Sequence, residues 1–129
     1  MKSVDKKIRN ILIVEDDHTS MMYFEEVTRL IEVPNTNIIL HKARTGEQAV
    51  EYCRQHQVDL VLMDIKLPGM DGLEATGLIK KEHPEIVVIA QSGYALSNDH
   101  KKSFHAGCDD YLTKPVIDKK LEEKLNLYL

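Results

Sequence analysis

Two short apolar runs in this chain each stop at a carboxylate, and such endings can do chemistry. Val61-Leu62-Met63 runs into Asp64, and Ile11-Leu12-Ile13-Val14 runs into Glu15-Asp16-Asp17. A buried strand that delivers an acid at its C-terminal tip places it in the crevice where open α/β sheets bind ligands. Two strands delivering acids to one edge concentrate negative charge there. Such carboxylates repel unless a cation joins them or a proton neutralises one. Oxygen-only ligands favour a hard ion such as Mg²⁺. Beyond Asp64 the chain turns through Pro68-Gly69, and Asp71-Gly72 opens a helix-like stretch.

The elements that must hold these acids alternate along the chain. Ile11–Val14 reads as a buried strand. Thr19–Ile31 follows as a helix, with Phe24, Val27, Leu30 and Ile31 at helical spacing, and Pro34-Asn35 breaks it. Ile38–Ala43 is a second strand. Thr45-Gly46-Glu47-Gln48 has capping-box spacing and starts helix two, with Ala49, Val50 and Cys53 inward. Val58–Met63 is strand three. Asp71-x-x-Glu74 starts helix three, which Pro84 bounds and which Gly77 weakens. Ile86–Ala90 is strand four. Ser97 is the expected cap of helix four, and Gly107 its C-terminal stop. Asp110–Thr113 is strand five. Helix five runs from about Asp118 to the end, with Leu121, Leu125 and Tyr128 on one face. Strands alternating with helices imply a parallel sheet with right-handed crossovers, and continuous apolar strands imply that both sheet faces are covered. The expected architecture is a doubly wound α/β three-layer sandwich, with residues 1–129 forming a single domain.

Bulk properties narrow the function. Seventeen Lys and Arg against 21 Asp and Glu give a net charge of −4, which argues against a nucleic-acid surface. No apolar run spans a bilayer, and Met1–Lys7 lacks the apolar core of a signal peptide. These features predict a cytoplasmic chain, or a cytoplasmic part of something larger, with no membrane contact. Cys53 and Cys108 are in no metal-ligand spacing and read as reduced thiols.

Four motifs at the ends of consecutive strands resemble the receiver domain of two-component response regulators. They are Val14-Glu15-Asp16-Asp17; Met63-Asp64 with Pro68 and Asp71-Gly72; Ala90-Gln91-Ser92-Gly93-Tyr94-Ala95; and Gly107-Cys108-Asp109-Asp110-Tyr111-Leu112-Thr113-Lys114-Pro115. The resemblance covers essentially the whole chain. It implies a flavodoxin-like fold with a five-stranded sheet in the order 2-1-3-4-5. It also implies that Asp64 accepts a phosphoryl group from a phosphohistidine on a histidine kinase or histidine phosphotransfer protein. By the same resemblance, Asp16 and Asp64 ligate Mg²⁺, Glu15 acts mainly through metal-bound water, and the Lys66 backbone carbonyl completes the protein ligands. Lys114 reaches the phosphoryl group from a cis Lys114-Pro115 peptide, and the Ser92 hydroxyl, where Thr is commoner, hydrogen-bonds a phosphoryl oxygen. Ser92 and Tyr111 are the expected switch pair, with Tyr111 moving inward on phosphorylation. Lys66 and Tyr94 stand where the family tunes dephosphorylation, and their bulk predicts a long-lived phosphoryl group. A monomer or weak homodimer is expected.

Plainer roles compete at single positions. Asp16 alone could cap a helix, Asp71 does so on its spacing, and Asp17 reads as a loop acid or cap. Lys114 without Pro115 would be an ordinary surface lysine, and His18 reads as a surface residue. Met21-Met22 admits two readings, core packing or a docking surface. Among whole functions, a phosphorylation-independent interaction module ranks second. A phosphatase with an Asp nucleophile needs a second acid where Lys66 stands, and flavin binding lacks a phosphate loop and stacking aromatics. Ending at Leu129 without an output segment, the chain is expected to be a stand-alone regulator or the receiver of a hybrid sensor kinase. The stretch Ile89-Ala90-Gln91-Ser92-Gly93-Tyr94-Ala95, with Gly107-Cys108-Asp109-Asp110-Tyr111, resembles receivers fused to kinases and favours the latter.

Overall fold

The computed structural model describes residues 5–93 and 99–129. Strands β1 (Lys7–Val14), β2 (Thr36–Ala43), β3 (Leu60–Asp64), β4 (Val87–Ser92) and β5 (Asp110–Thr113) alternate with five helices. These are α1 (His18–Leu30), α2 (Gly46–Gln55), α3 (Gly72–Glu82), α4 (Asp99–Ala106) and α5 (Asp118–Tyr128). The sheet is parallel throughout, in the order β2-β1-β3-β4-β5. The expected doubly wound, flavodoxin-like α/β sandwich is therefore the observed one. Strand order reverses at β1, so the crevice between the C-terminal ends of β1 and β3 is the natural ligand site.

Side-chain alternation sorts the core into two layers. Ile11 and Ile13, Leu60 and Leu62, Ile89 and Leu112 pack with Met21 and Phe24 of α1 and with Leu121 and Leu125 of α5. Leu12 and Val14, Val61 and Met63, Val88 and Ala90 pack with Ala49, Val50 and Cys53 of α2 and with Ala75 and Ile79 of α3. Each fully buried Ile or Leu contributes about 1.5–3 kcal/mol over exposure, so these strands hold the sheet rigidly. The next alternating position after Ile13, Leu62, Ile89 and Leu112 is Glu15, Asp64, Gln91 and Lys114. Glu15, Asp64 and Gln91 thus stand level on one face at the sheet's C-terminal edge, and Lys114 stands two residues beyond Leu112, the register partner of Gln91.

Several boundaries differ from the sequence expectation. β1 begins at Lys7, not Ile11, because Lys7–Asn10 pair with the first half of β2 although they are partly exposed. β2 begins at Thr36, β3 at Leu60 and β4 at Val87, while β4 continues to Ser92. Apolar runs report burial, and backbone pairing extends beyond or stops short of it. Leu30, expected on the inner face of α1, is 74% exposed. It is the last helical residue, and Ile31, the C-cap, turns inward in its place.

The caps follow the sequence closely. Asp17 accepts from the Ser20 N–H at 2.9 Å, Thr45 from Gln48 at 3.0 Å and Asp71 from Glu74 at 2.8 Å. The capping box at Thr45 is not reciprocal: the Gln48 side chain accepts from the Arg44 N–H at 2.8 Å. Gly107 follows α4 at φ +108°, the left-handed conformation expected of its stop. Ser97, the expected cap of α4, lies outside the described residues, as do Tyr94 and Ala95.

Gly77 has no such duty. A Cβ built there meets nothing nearer than the Ala106 carbonyl oxygen at 4.0 Å. Gly77→Ala is expected to stabilise the fold by about 1 kcal/mol through helix propensity alone. Urea unfolding with an unchanged slope checks this.

Candidate functional site

Glu15 follows β1, Asp64 ends β3 and Lys114 follows β5, so the sheet itself aims these side chains. The Lys114 ammonium lies 3.1 Å from Glu15 Oε1 and 3.1 Å from Asp64 Oδ2. Asp64 Oδ1 accepts from the Lys66 N–H at 3.2 Å, and Glu15 Oε2 from the Asp17 N–H at 3.3 Å. Carboxylate oxygens of Glu15, Asp16 and Asp64 all lie within 4.8 Å of one another. Glu15 and Asp64 are buried and Asp16 is exposed, so the acid cluster has one open side.

The electrostatics record this crowding. Burial, then the hydrogen bonding and charge of Asp64, hold the Glu15 carboxyl above its usual range against the pull of Lys114. Burial works to lower the Lys114 ammonium, but attraction from Asp64 and Glu15 outweighs it and keeps its proton more firmly than usual. One cation shared between two buried acids, with a third acid beside them, leaves an excess of negative charge. Hard oxygen donors with that excess fit a divalent cation such as Mg²⁺.

The acids line a cleft of about 380 Å³ whose wall includes Ser92, Lys66, Gln91 and Lys114. Ser92 is buried, and its carbonyl accepts from the Lys114 N–H at 2.6 Å, which ties β4 to the lysine segment. The Lys114-Pro115 peptide is cis, as the motif implied. Asp17 also lines the cleft, but its side chain caps α1.

Tyr111 is not among the residues lining this cleft. It is half-buried on β5, with its ring edge-on to Phe104 at 6.1 Å between centroids. His18 is exposed at the start of α1. The two readings of Met21-Met22 divide between the residues: Met21 is in the core and Met22 is 57% exposed. Gln91 escaped the sequence reading. Its signal was a long polar side chain in the strand Val87–Ser92, where a buried strand carries apolar ones.

The model of the response regulator receiver domain matches residues 11–126 of this chain. The chain belongs to the response regulator receiver family. This receiver is 35% identical to the polar-differentiation response regulator DivK of Brucella ovis, over 94% of the chain and 96% of the relative. Among solved structures, it matches the receiver domain of sensor histidine kinase PA1611 of Pseudomonas aeruginosa at a TM-score of 0.80 and 30% identity. That match covers 93% of this chain and 96% of the other, and the PA1611 receiver has a magnesium ion coordinated in its active-site cleft. The receiver domain of Ssk1 of Saccharomyces cerevisiae, solved with the histidine phosphotransfer protein Ypd1, matches at 0.79 and 26% identity, over 98% of this chain and 91% of that one. The receiver is thus a two-component signalling domain carrying an acidic cluster suited to magnesium. No helix among the described residues is long and apolar enough to cross a membrane.

Proposed function

We propose that residues 1–129 form one receiver domain that takes a phosphoryl group from a phosphohistidine onto Asp64, in a Mg²⁺-dependent relay. The observation that carries this reading is the Asp64 carboxylate at the tip of β3, gathered with Glu15 and Asp16 and 3.1 Å from the Lys114 ammonium. An Asp64 oxygen attacks phosphorus, the P–N bond to the donor imidazole breaks as the P–O bond forms, and the imidazole nitrogen leaves with the electron pair. Lys114 then faces the new phosphoryl oxygens, and Ser92, on the cleft wall, offers a hydroxyl to one of them. Glu15, Asp16, Asp64 and the Lys66 carbonyl would hold Mg²⁺, which when bound shares the negative charge gathered on the phosphoryl group.

The partner is a histidine kinase or a histidine phosphotransfer protein, a reading supported by the Ypd1 complex of the related Ssk1 receiver. Two buried free cysteines, both held above the usual thiol range to about 11 chiefly by burial, suit a reducing cytoplasm. Output through Ser92 and Tyr111 biases an existing two-state equilibrium, with the edge-on Tyr111–Phe104 contact as the movable element.

Intact-mass spectrometry after phosphoramidate and Mg²⁺ tests the assignment. One phosphate adduct, labile to hydroxylamine, is expected in the wild type and none in Asp64→Asn. A folded wild type that takes no adduct overturns it.

A further inference from the structure

Gln91 is fully buried, and neither its amide nitrogen nor its carbonyl oxygen has a hydrogen-bond partner among the described residues. A carboxamide can donate twice and accept twice, so both ends are left unmade in an interior where that is costly. A Leu or Met side chain would fill the same place without that cost. The resting protein therefore gives this residue no account of itself.

Its place in the sheet supplies one. Gln91 is the register partner of Asp64 on β3 and of Leu112 on β5, and partners in a parallel sheet share a face. Neighbouring strands lie about 4.8 Å apart, which puts the Asp64 carboxylate within a glutamine's reach. Lys114 follows β5 yet contacts Asp64 of β3 and Glu15 of β1, so its stem crosses the end of β4 to arrive. Gln91 thus belongs to the strand between those that carry Asp64 and lead to Lys114, and it lines the cleft that holds their ion pair.

We propose that Gln91 is a positioning residue of the phosphoryl site, bridging the Lys114 ammonium and the acyl oxygen of Asp64 once Asp64 is an acyl phosphate. This rests on the phosphoacceptor reading of Asp64. Forming the acyl phosphate takes the charge off the Asp64 carboxylate and draws Lys114 toward the phosphoryl oxygens, so one ammonium N–H that Asp64 had held is left to donate and the acyl oxygen is left able to accept. Gln91 Oε1 meets the first need and Nε2–H the second, and one turn of the side chain satisfies both atoms together. The lysine, drawn to the phosphoryl oxygens, is then steadied from beneath by a neutral dipole where the Asp64 carboxylate had been.

The test is thermal unfolding in Mg²⁺ across a titration of beryllofluoride, for the full chain as wild type, Gln91→Met, Gln91→Leu and Asp64→Asn. Without beryllofluoride both apolar variants should melt a few degrees above wild type, because an unsatisfied buried amide is gone. Their apparent affinity for beryllofluoride should nevertheless fall about tenfold or more, the loss of a hydrogen bond to a charged group. A merely structural residue would not move the two readouts in opposite directions. Unchanged affinity in whichever apolar variant folds overturns the proposal, as does a lowered melting point in both. A wild type that takes phosphoryl by mass but shows this failure leaves Asp64 as acceptor and removes Gln91 alone. A wild type that takes no phosphoryl group and no beryllofluoride overturns both readings.

Discussion

Replacing Lys114 by methionine is expected to slow phosphorylation by phosphoramidate about a hundredfold, the usual loss when one preorganised donor to developing charge is removed. A mass-spectrometric time course in Mg²⁺ reads it. The same change should lower stability by about 2 kcal/mol at pH 8 in EDTA, between the value of an exposed pair and that of a buried one. Glu15 and Asp64 are buried, and Lys114 is their shared counter-charge at 3.1 Å. The sign with pH follows from Glu15, whose carboxyl is held above the ordinary 4.5. A carboxyl that binds its proton more tightly folded than unfolded favours the folded state below that ordinary value, and the benefit is lost as pH rises through the folded one. Removing the lysine removes the attraction that pulls Glu15 down. The deficit of Lys114→Met should therefore be largest at neutral and alkaline pH and shrink toward pH 4.5. Urea unfolding across that range checks it, and a deficit that grows on acidification would place the loss elsewhere.

How far such a site can be read from sequence depends on what each residue shows locally. Glu15, Asp16 and Asp64 are legible because each ends an apolar run, and a polar residue after a buried strand stands at the sheet's C-terminal edge. Lys114 is legible only through its company, since a lone lysine looks like any surface lysine until Pro115 and the preceding Tyr111-Leu112-Thr113 set its frame. Gln91 gives only an ambiguous signal. Beside Ser92 it reads as the strand turning polar at its end, and its burial emerges only when β3 and β5 flank it in register. Tyr111 fails in another way: its side chain is placed by Phe104, seven residues earlier on a different element. The order of the strands came from family resemblance, because hydrophobic spacing fixes which residues face inward but not which strand lies beside which. Leu30 shows the limit of periodicity, since a helix can hold its spacing into a last turn that the sheet no longer covers.

Gly72→Ala is expected to cost about 3 kcal/mol of stability or more, although the residue opens a helix and alanine is the better helix former. A Cβ built on Gly72 lies 2.0 Å from the Asp64 carbonyl oxygen and 2.9 Å from Ile65 Cα. Both are backbone atoms at the end of β3, so no rotamer change relieves the overlap. The Gly72 N–H also donates to the Ile65 carbonyl at 2.8 Å, which locks the start of α3 against the strand. The same substitution at Gly77, one and a half turns along the helix, meets open space and should stabilise. Opposite signs for one chemical change on one helix separate packing from propensity, and paired urea curves read them directly. The strand end that must yield at Gly72 is Asp64 itself. Gly72→Ala should therefore also lose phosphoryl uptake at temperatures where it is still folded, whereas a destabilised variant with normal uptake would mean that the strand holds its place and α3 moves.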